Sequence, residues 1–329
     1  MTQAPGAPDV LLPSVAILHD PACVRHDPGP GHPESPARYG AVMGALTESG
    51  LLWDTVTLPG RSASQDDLRL VHEADYLALA EREIAAGAVS LSTGDTQVCP
   101  DSWETALWAA GLAMAGVDAV LEGQAQRAFC VLRPPGHHAT ASRGMGFCVL
   151  NNAAIATRHA QRRHGLGRVL VVDWDVHHGN GTQDIFYRDG SVFYFSTHQS
   201  PLYPGTGHPQ ERGAGEGLGA TLNWPLRAGA GRADVMAAFE QGLLPAAEAF
   251  KPDLVLISAG FDARHGDPLG GLRLTDDDFH DLTLLVRGIA DQHAGGRLVS
   301  VLEGGYDLPG LGLAAVAHVR GLVAETAAR

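Results

Sequence analysis

Residues 169–183 read VLVVDWDVHHGNGTQ. Four apolar residues, Val169 to Val172, run directly into two aspartates and two histidines before the turn signal Gly179-Asn180-Gly181. A continuous apolar run of this length reads as a strand buried on both faces. Ionisable groups at the end of such a strand need an offset for their desolvation: a metal ion, an internal salt-bridge network, or exposure to water.

The same strand type recurs along the chain. Apolar runs fall at 15–19, 53–58, 128–132, 168–173, 191–197, 220–226, 253–259 and 297–303. Helical periodicity occupies 34–50, 73–86, 101–122, 151–164, 231–249, 274–293 and 309–326, with start signals at Asp101-Ser102 and Thr275-Asp276. Strands alternating with helices predict βαβ units, hence an α/β fold with a mostly parallel sheet covered by helices on both faces. No Ser/Gly/Pro linker divides the chain and no internal repeat is found, so residues 1–329 are expected to form one domain. The glycine-rich stretch 205–219 reads as one long loop.

Composition restricts the function. With 45% hydrophobic and 18% charged residues the chain has ample material for a core. Its formal charge is −14, and Lys251 is the only lysine among 23 basic residues, which argues against nucleic-acid binding. Cys23, Cys99, Cys130 and Cys148 show no C-x-x-C pairing, so reduced thiols in a cytoplasm are expected. The start, MTQAPGAPDVLLPS, lacks the basic and long apolar regions of a leader, and no segment reads as membrane-spanning.

Four strands end in unusual chemistry: RPPGHHAT follows FCVL, WDVHHGNG follows VLVVD, FDARHGDPLGG follows VLISAG, and VSVLEGG runs into Tyr306. Ligands of open parallel sheets bind at the carboxyl ends of the strands, so these clusters are expected to meet along one edge. Continued extension would put Asp173, Asp175 and His177 on one side of the chain. Taken alone, this D-x-D-x-H spacing is as compatible with a cap or turn network. Asp262, directly after another buried-type strand, adds a third donor to Asp175 and His177, giving a three-ligand site with open positions. That arrangement suits catalytic zinc, and its oxygen-rich ligation also admits Fe²⁺ or Mn²⁺. His137 and His138 are candidates for general base and acid. Asp173 is placed to keep one ring cationic and Asn180 to keep the other nearly neutral. The Tyr306 phenol is a candidate donor to a developing oxyanion.

Together these residues closely resemble the histone deacetylase family, in particular its class II-like bacterial amidohydrolases and the acetylpolyamine amidohydrolase group. The resemblance runs through HPESPAR (32–38), STGDT (92–96), RPPGHHA (133–139), GMGFCVLNN (144–152), DWDVHHGNGTQ (173–183), LYPGTG (202–207), AGFDARHGDPLGG (259–271) and EGGY (303–306). It implies the arginase–deacetylase three-layer α/β/α sandwich, with Zn²⁺ on Asp175, His177 and Asp262, the catalytic pair His137 and His138, and carbonyl polarisation by Tyr306. It further implies a structural K⁺ at Asp173, Asp175, His177, Ser196 and Thr197. Phe147 and Tyr203 match the aromatic walls of an acyl-lysine tunnel, Gly146, Asp95 and Leu269 match its rim, and HPESPAR matches the entrance. Asn180 and the run HHGNGTQ look like the class II branch, and Tyr306 departs from the weakly active type that carries histidine there. Leu269 stands where the polyamine-selective relative has an acidic gatekeeper, which argues against polyamine selectivity by that device.

The expected activity is removal of acetyl or similar acyl groups from a lysine side chain or another N-acyl amine. Two rivals make different demands. A two-manganese ureohydrolase of the same fold needs further carboxylates, and a non-catalytic acyl-lysine sensor has no need of an intact dyad and tyrosine. A serine hydrolase is not supported, because the sequence contains no G-x-S-x-G elbow.

Overall fold

Why four polar clusters meet is answered by the order of the strands. The computed structural model describes residues 14–324; the leader reading at 1–13 and the last two positions of the expected final helix lie outside them. Eight strands form one sheet: β1 (Val15–His19), β2 (Val56–Leu58), β3 (Arg127–Val131), β4 (Val169–Asp173), β5 (Val192–Gln199), β6 (Thr221–Leu226), β7 (Leu254–Ala259) and β8 (Leu298–Leu302). Their order is β2-β1-β3-β8-β7-β4-β5-β6 and every pairing is parallel. The four strands with unusual ends, β3, β8, β7 and β4, are consecutive neighbours at the centre of the sheet.

Side-chain alternation sorts the buried strand residues into two cores. Ile17, Phe129, Val172 and Ile257 enter one cluster, while Leu18, Cys130, Val171 and Leu256 enter the other. Helices α1 (Ala37–Glu48), α9 (Asp276–His293) and α10 (Leu308–Val323) cover the first. Helices α4 (Ser102–Leu121) and α5 (Asn152–His164) cover the second. Burial of both faces explains why the strands read as unbroken apolar runs.

Several local readings need revision. Two short helices are added, α2 (Gln65–Leu68) in a segment given no element and α6 (Asn180–Phe186) at the turn signal, and α3 (Ala74–Ala85) follows the expected pattern. The periodicity at 231–249 resolves into α7 (Arg232–Ala238) and α8 (Leu244–Phe250), joined by a π-helical turn at Phe239–Leu243. One helix, α4, is in fact long and apolar enough to cross a membrane by length and composition. Its apolarity has another cause here: 67% of the span is buried inside the fold, against α5, β3 and β1.

Candidate active site

The first strand to end in ligands does so earlier than simple alternation predicts. β4 stops at Asp173, and Asp175 and His177 sit in the bends beyond it. Their convergence comes from backbone amides captured by carboxylates. Asp175 N–H donates to Asp173 Oδ1 at 3.2 Å, and His177 N–H donates to Asp175 Oδ1 at 2.8 Å. Val176 N–H donates to Asp262 Oδ1 at 2.8 Å, tying the loop after β7 to the loop after β4. Each amide that points at a carboxylate partly offsets its desolvation.

His177 Nδ1 lies 3.1 Å from Asp175 Oδ1 and 3.2 Å from Asp262 Oδ2, and donor atoms of the three residues all fall within 4.8 Å of one another. All three residues are buried. Only the Asp175 contact has hydrogen-bond geometry, so Asp262 Oδ2 is a buried oxygen without a hydrogen bond, its one cationic neighbour among the described residues being the His177 ring. Burial pushes the Asp262 carboxyl up, the neighbouring Asp175 charge adds to it, and the group reaches about 7. Burial alone lowers His177, but Asp175 and Asp262 outweigh it and raise the ring to about 10. The surroundings thus favour positive charge where these atoms converge.

The donor set fits a divalent ion. The orphaned Asp262 oxygen asks for a cation, and glycine keeps the space beside it open. A Cβ on Gly304 would come within 2.0 Å of Asp262 Oδ2 and 2.6 Å of Asp175 Oδ2, and one on Gly260 within 2.1 Å of Asp175 Oδ2. Gly304 N–H instead donates to Asp175 Oδ2 at 2.8 Å. Two carboxylates and one imidazole are ligands common to catalytic zinc and non-haem iron.

The paired histidines after β3 stand next to this cluster with unequal surroundings. Their ring centroids are 4.0 Å apart. His137 Nδ1 pairs with Asp173 Oδ2 at 3.0 Å, and that oxygen also accepts from the Tyr194 hydroxyl at 3.0 Å. His138 Nδ1 pairs with Asn180 Oδ1 at 2.8 Å. Burial disfavours the cation on both rings. The Asp175 and Asp173 carboxylates overcome this at His137 and hold it well above the usual range. His138 faces the positive charges of His137 and His177 and is driven well below it. The asymmetry expected from sequence is present: a cationic ring on a carboxylate and a neutral ring on an amide. His178 serves a different network, bonding Thr206 Oγ1 at 2.8 Å and Gln183 Oε1 at 3.0 Å.

A cavity of about 310 Å³ opens over these groups, lined by Asp95, His138, Gly146, Phe147, His177, Leu202, Tyr203, Leu269 and Tyr306. All the residues assigned to tunnel and rim from sequence therefore border one space, and Leu202 joins them. Phe147 takes a positive φ of 68° after Gly146 at 56°, and a Cβ on Gly146 would strike the His138 ring at 2.4 Å. Asp95 fixes this turn by accepting Gly146 N–H at 2.7 Å, and it also accepts the Tyr203 hydroxyl at 3.3 Å. Tyr203 and His138 meet edge to face at 5.1 Å, as do Phe147 and Tyr306 at 5.9 Å. Burial pushes the Tyr306 phenol well above its ordinary range, which keeps it protonated as a donor.

Three positioning groups went unassigned in the sequence reading. Glu303 is fully buried and accepts Gly136 N–H at 2.7 Å, His137 N–H at 3.1 Å and the Ser258 hydroxyl at 3.1 Å, so it holds the histidine loop. Asp267 accepts Tyr306 N–H at 2.7 Å and Asp307 N–H at 3.2 Å. Arg38 donates to the carbonyls of Gly305 and Glu303, and its guanidinium lies over the Tyr306 ring, 4.9 Å from the centroid. The placement of HPESPAR at the entrance is therefore corrected in part. Glu34 and Arg38 are wholly buried beneath the site, while His32 does reach its wall, packing on Phe147 at 4.7 Å. Recurring acidic and Gly-Gly punctuation at strand ends was the available signal for Glu303 and Asp267; nothing local marks Arg38.

Residues 32–322 match the profile of the histone deacetylase domain. The chain belongs to the histone deacetylase family. It is 42% identical to the histone deacetylase-like amidohydrolase of Pseudomonas aeruginosa over 93% of this chain and 86% of that protein. It is likewise 42% identical to polyamine deacetylase HDAC10 of Homo sapiens, over 89% of this chain but only 45% of that longer protein. The crystal structure of the HDA15 HD domain superposes with a TM-score of 0.88 at 35% identity, covering 94% of this chain and 88% of that one. The three-layer α/β/α architecture is thus the arginase–deacetylase fold, and deacetylase chemistry on amides is the family's activity.

Proposed function

We propose that this edge is the active site of a metal-dependent amidohydrolase that removes acetyl or other acyl groups from lysine side chains or similar N-acyl amines. The observation that carries the reading is the buried Asp262 oxygen without a hydrogen bond, set against Asp175 and against His177, which lines the cavity. Asp175, His177 and Asp262 would hold Zn²⁺, or Fe²⁺, which when bound supplies a Lewis acid and lowers the pKa of water. His138, kept neutral by its surroundings, is suited to take a proton from the attacking water. His137, held cationic by Asp173, stabilises the developing negative charge, and the dyad returns a proton to the departing amine. The Tyr306 hydroxyl donates to the carbonyl oxygen as it gains charge. A structural K⁺ is proposed at Asp173, Asp175, His177, Ser196 and Thr197; its support is the pairing of Asp173 with Ser196 in neighbouring strands, all five residues being buried.

For the substrate we favour an acyl-lysine. Phe147, Leu202, Tyr203 and Leu269 give the cavity apolar walls suited to a methylene chain. An acetylpolyamine is the second reading, supported by the strongly acidic chain and by the relative named as a polyamine deacetylase. Rates on acetyl-lysine peptides, longer acyl-lysine peptides and acetylputrescine, measured side by side, test the choice. Highest kcat/KM on an acyl-lysine peptide supports the first reading; preference for acetylputrescine replaces it with the second. No hydrolysis of any amide by metal-loaded protein leaves the sensor reading. Free thiols at all four cysteines accord with the cytoplasmic location we propose.

A further inference from the structure

A second group of metal-ligating side chains lies between α4 and α5, away from the cavity. α5 begins beside the histidine loop, where Asn151 Nδ2 donates to Ala139 O at 3.0 Å, and runs back toward the start of β4. Its last turn meets the last turn of α4 at the amino-terminal edge of the sheet, opposite the catalytic edge. There the Nε2 atoms of His159 and His164 approach the same oxygen, Asp118 Oδ1, at 2.6 and 2.7 Å. Donor atoms of the three residues all lie within 4.8 Å of one another.

On an ideal helix, residues five apart differ by roughly 140° in direction. His159 and His164 nevertheless converge, with ring centroids 5.6 Å apart, because Asp118 is seated across the helix interface between them. Other histidine–carboxylate contacts outside the catalytic edge, such as His293 with Glu248 and His280 with Asp281, put one imidazole on one carboxylate. At Asp118 two imidazoles share one carboxylate oxygen. A cation bound by both rings and the carboxylate replaces two donors crowded on one acceptor with three ligand bonds. Zinc–ligand bonds of about 2.0–2.2 Å set tetrahedral donors roughly 3.3–3.5 Å apart, so each Nε2 would draw back from Asp118 Oδ1 by about 0.7 Å. The site also has access to solution. Asp118 borders a surface cavity of about 220 Å³ that Glu122, one turn further along α4, also lines.

We propose that Asp118, His159 and His164 form a second, non-catalytic site for a divalent d-block cation of the zinc class, clipping the end of α4 to the end of α5. Imidazole and carboxylate donors suit Zn²⁺, Co²⁺, Ni²⁺ and Cu²⁺ over Mg²⁺ and Ca²⁺. The count of equivalents rests on the proposed function, in which Asp175, His177 and Asp262 hold the first ion; the variants at Asp118 and His164 separate the second site from it. Holoprotein carrying its first metal equivalent is titrated with Cu²⁺ and followed by electron paramagnetic resonance, then with Zn²⁺ by calorimetry. Wild-type protein is expected to take up a second equivalent with hyperfine coupling to two imidazole nitrogens. His164→Gln, at a partly exposed position, is expected to keep its deacetylase activity, lose one nitrogen coupling and bind the second Zn²⁺ at least 10-fold more weakly. Asp118→Asn provides an independent variant and is expected to weaken the second Zn²⁺ as well. A second equivalent unaltered in both variants, a signal without imidazole nitrogens, or no uptake beyond the first equivalent overturns the proposal.

Discussion

Two clusters of buried charge lie a few residues apart in this fold and are resolved in opposite ways. Beneath the site, Glu34 is enclosed by its own cations. Arg133 donates to both its oxygens, Nε to Oε1 at 2.6 Å and Nη2 to Oε2 at 2.7 Å. Arg38 adds a bond of 3.0 Å, and His26 Nε2 lies 3.3 Å away. Burial alone would raise the Glu34 carboxyl, but Arg133, His26 and Arg38 hold it far below the usual carboxylate range. At the catalytic edge Asp173, Asp175, Asp262 and Glu303 are equally buried. Among the described residues no arginine or lysine forms an ion pair with them, and Asp262 and Glu303 are pushed up to about 7. Within the second cluster Asp175, despite its burial, is held low by the His137 and His177 rings, whereas Asp173, Asp262 and Glu303 shift the opposite way from Glu34; the first cluster is a completed salt-bridge network and the second is only partly neutralised. The second is the one at which we propose a metal.

This contrast is sharpened first by stability. Glu34→Gln leaves Arg133 and Arg38 buried without their carboxylate and is expected to cost about 3–5 kcal/mol, whether or not metal is present. Denaturant unfolding with and without Zn²⁺ checks this; a loss under 1 kcal/mol would show that the network is not self-contained. Next in size is Tyr306→Phe, which removes one oxyanion donor. It is expected to lower kcat by about 10²–10³-fold, about 2.7–4 kcal/mol, with metal content unchanged. Steady-state kinetics beside metal analysis decides it, and near-normal turnover would refute the assigned role.

A smaller effect is expected from Asp173→Asn. Losing a hydrogen bond to a charged group costs about 1.5–3 kcal/mol, on the order of 10–100-fold in rate. His137 would then lose its proton at lower pH, so the alkaline limb of the kcat profile should move toward acid. An unmoved limb would remove His137 from the role of cationic partner. The most gradual expected effect, small over any one pH unit, is a pH slope in metal-free protein. Glu303 titrates near 7 when folded and about 4.3 when unfolded, so between those values the native state binds more protons. Stability should therefore fall as pH rises through that window, by up to about 1.4 kcal/mol per pH unit, and level off above it. Glu303→Gln should flatten this contribution. Glu34 has the reverse sign: its stabilisation is complete above about 4.3 and is lost only as pH falls toward its depressed folded value.

Legibility in the sequence divides along the same line. The six inner strands, buried on both faces, announce themselves as apolar runs; the partly exposed edge strands β2 and β6 were located as well, and the polar ends of four strands were expected to meet. The residues proposed as metal donors, dyad and oxyanion donor could be singled out because ionisable residues beside such strands stand out, and the structure brings them together. The reason given for Asp173, Asp175 and His177 was incomplete, since β4 ends at Asp173 and amide–carboxylate bonds shape the loop beyond it. Glu34, Arg38 and Arg133 were not recognised as one network. Arg133 lies 99 residues from Glu34 and, although Arg38 is only four residues away, each residue alone resembles an ordinary helix start or loop. Gly179-Asn180-Gly181 reads as a turn, although Asn180 opens α6; its pairing with a dyad ring, by contrast, was expected. Long-range pairing leaves no local pattern.

Chelator-stripped protein, verified free of metal, assayed on an acetyl-lysine peptide before and after Zn²⁺ is returned, puts the charge deficit to its most direct trial. Inactivity when stripped, with recovery in wild-type but not in Asp262→Asn, is the predicted result. Undiminished hydrolysis by the stripped protein would contradict the account.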